Sequence, residues 1–280
     1  MKKIFLFVAV AAMSITASAT DLWTGSKNVT WGAGLQIAAA QFAEAQPGQK
    51  IVLHFSDASD GLEFKVMNAH FDHLAGSRES AWINGNGMFE QFLTQAAVDS
   101  LKLYGLELIG ANFTATKVEL LDGKTLKDGI TVWTGFFWVD NLSTLELFYN
   151  GYAGVDFSKI SAIRFYSEAA SGAYVLNFLK GTGAGEKFAD QTDMTDGAGY
   201  KELALTDELR TAMAGANHWL IQFSKEALDA FNVTDIVLVP AKATAMDNTA
   251  VETKTVKRIE NGQVVILKNG IRYNLIGAQL

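Results

Sequence analysis

Six tryptophans are the residues of this chain best suited to chemistry at a surface. A flat indole stacks on the apolar face of a sugar ring and brings one N–H donor with it. Trp31 and Trp82 stand in glycine-rich surroundings, Trp31-Gly32-Ala33-Gly34 and Trp82-Ile83-Asn84-Gly85-Asn86-Gly87. Such stretches suit loops or strand ends, where an exposed ring with polar neighbours signals binding more often than an exposed aliphatic does. Asn84, Asn86, Arg78 and Glu79 are the polar companions of Trp82 in sequence. Planar amides, guanidinium and carboxylate groups match the alternating donors and acceptors of sugar hydroxyls. Trp138 is the third tryptophan in this group, for a reason that the chain's internal repeat supplies.

Other chemistries find less footing. His70-Phe71-Asp72-His73 would bring two imidazoles to one face if it were helical, the minimum of a metal site. Asp190-Gln191-Thr192-Asp193-Met194-Thr195-Asp196-Gly197 spaces carboxylates three apart in a glycine-rich loop and is the candidate for a structural calcium ion, without EF-hand spacing. No other cofactor is expected. The chain has no cysteine, which removes disulfides, thiolate metal sites and a Cys nucleophile. Gly-x-Ser-x-Gly, His-Glu-x-x-His and phosphate-cradling glycine loops are absent, and no carboxylate pair stands out as the two acids a glycoside hydrolase needs. The formal net charge is −7, and nucleic acid, which demands basic surface, is not an expected partner.

The elements that must position these residues occur twice. Leu22-Trp23-Thr24-Gly25 returns as Val132-Trp133-Thr134-Gly135, and Phe55-Ser56-Asp57-Ala58-Ser59-Asp60-Gly61 returns as Tyr166-Ser167-Glu168-Ala169-Ala170-Ser171-Gly172. Leu93-Thr94 returns as Leu205-Thr206, and the run from Phe113 to Leu120 returns from Phe231 to Leu238. A period near 110 residues is that of a duplicated domain and not of a solenoid. Residue types kept in both copies serve the shared fold. Trp23 and Trp133 therefore belong to the core, and so does Trp219, which shares one strand face with Ile221 and Phe223. Trp31, Trp82 and Trp138 have no tryptophan counterpart in the other copy and remain the ligand candidates.

Each copy is rich in short β-branched or aromatic segments, such as Lys50 to Phe55 and Ile160 to Tyr166, separated by Pro47-Gly48, Asp60-Gly61, Asp122-Gly123 and similar turns. Each also carries one short helix, capped by Thr94 and stopped by Gly105 in the first copy, capped by Thr206 and ended by Gly215 in the second. One helix per copy is too few for the crossovers of a parallel sheet. The expected fold is all-β: two tandem antiparallel sandwiches of jelly-roll type over residues 20–122 and 130–241, joined by Asp122 to Gly129. The order of Trp-Thr-Gly, Gly48-Gln49-Lys50-Ile51, the Leu93-Thr94 cap and the stretch from Gly105 to Leu120 resembles the β-sandwich modules of secreted Bacteroidetes proteins. Such jelly-roll modules accompany glycan-degrading enzymes and are taken to bind carbohydrate. The resemblance covers Leu22 to Leu121 well and the second copy more loosely.

Residues 1–19 read as a secretory signal, with Lys2 and Lys3 before an apolar run and Ala17-Ser18-Ala19 as the cleavage site. No later segment has the length of about 20 apolar residues that spanning requires. Residues 255–280 form a separate tail, a β-meander with Asn261-Gly262 and Asn269-Gly270 at its turns. Its Asn-Gly, Tyr273-Asn274 and Gly277 pattern resembles the C-terminal element of many exported proteins of that phylum, which implies sorting or attachment to the cell surface. The combined expectation is an exported, non-catalytic protein that binds polysaccharide or another glycan; the alternative is a structural or adhesive protein-binding module with no sugar site. Deleting Val256 to Leu280 is expected to leave the rest folded and to change where the protein accumulates. Unchanged localisation with lost stability would instead make the tail part of the second sandwich.

Overall fold

The computed structural model describes residues 19–58, 61–77, 81–83, 87–139, 143–168, 175–180, 187–189, 195–216, 218–224, 231–241, 255–260, 263–268 and 271–273. The signal segment lies outside them. The chain divides into two compact units, Met1–Pro240 and Ala241–Leu280. Among the described residues, no helix is long and apolar enough to cross a membrane.

The first half of the larger unit contains β1 (Thr20–Val29), β2 (Leu35–Ile37), β3 (Lys50–Ser56), β4 (Leu62–Asn68), β5 (Ala81–Ile83), β6 (Met88–Phe92), helix α1 (Gln95–Tyr104), β7 (Leu106–Gly110) and β8 (Phe113–Leu121). They form two antiparallel sheets, ordered β1-β8-β3-β6 and β2-β7-β4-β5. Inward residues of both sheets, among them Leu53, Phe64, Leu108, Phe113 and Val118, join in one buried cluster. The second half contains β9 (Ile130–Val139), β10 (Thr144–Phe148), β11 (Ile160–Ser167), β12 (Val175–Lys180), β13 (Lys187–Ala189), β14 (Thr195–Gly197), β15 (Tyr200–Ala204), α2 (Asp207–Ala214), β16 (His218–Ser224) and β17 (Phe231–Pro240). Its sheets run β10-β16-β12-β13 and β14-β15-β11-β17-β9, around a second cluster that includes Trp133, Phe165, Trp219 and Ile236. Both halves are all-β sandwiches, as alternating apolar positions packed from two faces require.

The helices are set by their caps. Thr94 accepts from the Ala97 N–H and Thr206 from the Leu209 N–H, each satisfying one orphan donor of the first turn. Gly105 follows α1 at a φ of 84°, which a side-chain-bearing residue adopts only with strain. The repeated Trp-Thr-Gly also has a physical cause. Residues i and i+2 of a strand share a face, and each indole lies over the glycine two residues on. A Cβ on Gly25 would come within 2.8 Å of Trp23 Cζ2, and one on Gly135 within 3.0 Å of Trp133 Cζ2. The core expectation holds for Trp133 and Trp219, 4% and 0% exposed, while Trp23 is only partly buried against its core.

The connection between the halves is pinned. Lys124 donates its backbone N–H to the Gly48 carbonyl at 2.8 Å, a crossing so close that a Cβ on Gly48 or on Gly123 would fall about 2 Å from backbone oxygen. The Lys124 side chain then reaches into the second half. Its Nζ donates to the Thr234 carbonyl at 2.6 Å and the Gly135 carbonyl at 3.2 Å, and stands 3.2 Å from Asp235 Oδ1. Asp235, 2% exposed, also accepts from the Thr134 hydroxyl at 2.8 Å. The same ammonium lies 5.3 Å from the Phe92 ring centre and 5.4 Å from that of Phe136, two rings from opposite halves that meet edge to face at 5.7 Å. Burial pulls the Lys124 ammonium below the usual lysine range, with the Asp235 carboxylate opposing.

The smaller unit is a three-stranded antiparallel sheet of β18 (Thr255–Glu260), β19 (Gln263–Lys268) and β20 (Ile271–Tyr273), with Glu260 opposite Gln263 and Lys268 opposite Ile271. This is the expected meander; its two Asn-Gly pairs lie outside the described residues.

Two stability measurements follow. Gly135→Ala is expected to cost about 1–3 kcal/mol by urea unfolding, because moving buried Trp133 would disturb the core packed against it. Gly25→Ala should cost less although its Cβ comes nearer, since Trp23 is only partly buried and can swing outward; equal losses would refute the difference. Lys124→Met should cost about 3 kcal/mol by leaving Asp235 buried without its cation, and Asp235→Asn in that background should restore part of it.

Candidate functional site

At the seam between the two halves of the larger unit lies a cavity of about 350 Å³. Its walls are aromatic: Trp82, Phe89 and Phe92 come from the first half, Trp133 and Phe136 from the second, with Gln91 between them. Each ring has a local reason for its place. Phe89 is fixed edge to face on core Phe64 at 4.7 Å, and Phe92 is held by Phe136 and by the two lysines Lys50 and Lys124 over its ring. Trp82 projects from the short strand β5, opposite Glu63 of β4. Phe136 projects from β9 between buried Gly135 and Phe137, so strand alternation turns it outward. Trp82 is 51% exposed and Phe136 57%, far above what packed aromatics show, so two flat faces stand open to the cavity.

Among the described residues, the polar side chains at the cavity are held by partners. Gln91, 7% exposed, donates Nε2 to the Phe92 carbonyl at 2.9 Å and the Gly76 carbonyl at 3.3 Å, leaving Oε1 as its acceptor. Ser77 donates its hydroxyl to the Val66 carbonyl at 3.3 Å. Glu90 is the one ionisable side chain among the described lining residues, and Lys50 Nζ pairs with it at 2.5 Å. The cavity is a place where apolar ring faces meet a small number of oriented hydrogen-bonding groups, the usual make-up of a small-molecule site.

The residues expected from sequence are distributed unevenly around it. Trp82 lines the cavity. Trp138, 60% exposed, is two residues beyond Phe136 on the same face of β9 and directly opposite Asn232, whose Nδ2 donates to Glu168 Oε2 at 3.3 Å. Trp31, 47% exposed, sits on the turn closed by the Thr30 and Ala33 backbone pair and is not among the lining residues. Arg78, Glu79, Asn84 and Asn86 lie outside the described residues, although their sequence neighbours Ser77, Ala81 and Trp82 line the cavity. Sequence reasoning missed Phe92, Gln91 and Phe136. The signal for Phe136 was present: Phe136-Phe137-Trp138 alternates, and the exposure assigned to Trp138 carries Phe136 with it. Trp133, assigned to the core, is both buried and a wall of the cavity.

The metal candidates gain no support. Residues 69–72 form a turn, not a helix: Phe71 has a φ of 64°, His73 bridges to Met67, and the His70 ring packs on Tyr104 at 4.1 Å. The two imidazoles therefore lack the helical face that would pair them. Among the described residues, no group of three or more His, Cys, Asp or Glu is placed to hold a metal ion. Asp190 to Met194, the first five residues of the calcium candidate, lie outside the described residues.

No known family model matches the chain, and no curated protein resembles it in sequence. Among solved structures, it is similar to SGBP-B of the Bacteroides ovatus mixed-linkage glucan utilization locus, in complex with a mixed-linkage heptasaccharide. That likeness is 18% identical, with a TM-score of 0.32, over 36% of this chain and 30% of that one. The chain thus spans less than a third of that protein's length. A Parabacteroides distasonis protein inferred to be secreted is 9% identical, covers 80% of this chain and 86% of its own, and has a TM-score of 0.21. Likeness of this degree carries no argument about function, which rests on the residues of the seam.

Proposed function

We propose that this chain is an exported, non-catalytic carbohydrate-binding protein that acts at the cell surface or outside the cell and takes glycan at the seam cavity. One observation carries the reading: Trp82 and Phe136, each more than half exposed, face a common cavity from the two halves. Exposing aromatic surface to water is costly unless a ligand covers it, and sugar rings offer apolar faces of matching flatness. Gln91 supplies a planar amide beside the rings, and a fixed acceptor of that kind orients a hydroxyl. Glu90 lines the cavity held by its ion pair with Lys50, a fixed acceptor for a sugar hydroxyl. The three-stranded C-terminal unit is the element assigned to surface attachment.

The test is a glycan array of plant, host and microbial polysaccharides probed with the purified chain, with tryptophan fluorescence as a second channel. Binding is expected with a Kd of about 1 to 100 μM, about −8 to −5.5 kcal/mol. Trp82→Ala should weaken it about tenfold or more, the worth of one stacked ring, whereas Trp31→Ala should leave it unchanged. Silence across the array at protein concentrations near ~0.1 mM, the weak end of specific recognition, would refute the carbohydrate reading and favour the adhesive one.

A further inference from the structure

The aromatic surface does not stop at the cavity. β9 leaves it carrying Phe136 and then Trp138 on one face, 57% and 60% exposed, with buried Phe137 between them. At about 3.3 Å per residue the two rings stand roughly 7 Å apart along the strand. Trp138 has polar company of the same kind as the cavity: Asn232 lies directly across the ladder from it, held by Glu168. The row from Trp82 across Phe136 to Trp138 is thus a track, walled at the seam end. Among the described residues its charges already have partners. Glu90 is the one ionisable lining group among the described residues and is neutralised by Lys50; Lys124, the cation between Phe92 and Phe136, is committed to Asp235 and two carbonyls; and the carboxylate near Trp138 belongs to Glu168. None of these groups offers a cation to an anionic sugar.

We propose that the Trp82–Phe136–Trp138 track binds an extended, uncharged oligosaccharide chain, with the seam cavity and the Trp138–Asn232 ledge as successive subsites. This rests on the reading of the cavity as a glycan site. A chain that fills only the cavity contacts Trp82 and Phe136; a longer one also covers Trp138 and meets the Asn232 amide. Chain length, and not the identity of a terminal sugar, then sets affinity, because each further stretch of chain along the track covers a further exposed ring.

The experiment titrates the full-length mature protein, by calorimetry, with neutral oligosaccharides from disaccharide to hexasaccharide prepared from cellulose, xylan and mannan, and with oligogalacturonides of matching lengths. Affinity is expected to rise with length and then level off. Trp82→Ala should weaken every neutral ligand of the bound series about tenfold, whereas Trp138→Ala should leave the shortest unchanged and weaken the longest by roughly the same factor. Both side chains are exposed, and unchanged unfolding midpoints verify that the variants fold. Affinity independent of length, or a Trp138→Ala variant that binds the longest chain like the parent, overturns the track while leaving the cavity as a glycan site. Tighter binding of oligogalacturonides than of neutral chains overturns the charge argument. Loss of all binding to the neutral and acidic series, together with a silent array, defeats the glycan reading itself.

Discussion

The ammonium group of Lys124 is the interaction on which the arrangement of the larger unit turns. It belongs to the connection between the two sandwiches, yet every partner of its side chain lies across the seam or in the seam's walls: Asp235, the Thr234 and Gly135 carbonyls, and the rings of Phe92 and Phe136. A cation drawn this far from water must be compensated from several directions at once, and a carboxylate, two carbonyl dipoles and two ring faces do so. That set of partners exists at one relative placement of the halves. The seam is therefore specified by electrostatics, and the aromatic cavity that forms beside it inherits its geometry from a charge that never faces a ligand.

The duplicated Trp-Thr-Gly shows how one local solution is put to two uses. In both copies the indole lies over a glycine on the same strand face, and the absence of a Cβ is what makes room for it. In the first copy the ring stays partly open at the edge of its core; in the second it is buried and forms a wall of the cavity. The threonine between them diverges as well. Thr134 points to Asp235 in the seam, whereas Thr24 sits opposite Lys117, which pairs with Asp21 and Glu119 at the outer surface. A conserved local motif thus says nothing about whether its neighbourhood faces solvent or a partner surface.

Much of the fold was legible. The threonine caps, the glycine stops and the short alternating strands express local propensity, and α1, α2 and most strands appear where those signals stand. Exposure of Trp31, Trp82 and Trp138 was also readable, since the repeat separated them from the packed tryptophans. The cavity was not. Its members come from β4, β5, β6, β9 and the turn before β5, brought together by docking of two halves, and no period or motif within either half encodes that meeting. Glu107 is a second case: Leu106-Glu107-Leu108 alternates like a half-exposed strand, yet the carboxylate is 2% exposed and burial raises its pKa. Its side chain lies where a Cβ on Gly34 would have to be, so the glycine of a distant turn decides its burial.

A site whose walls come from both halves has an energetic consequence that neither half could have alone. Whatever fills the cavity binds the docked pair and not the separated sandwiches, so its binding free energy adds to the docking equilibrium by mass action. The ligand would act as a third fastener beside the Lys124 pair and the Phe92–Phe136 contact. Duplication of this chain placed the cavity where the two copies meet. It created a joint, and at such a joint occupancy and cohesion would be thermodynamically linked.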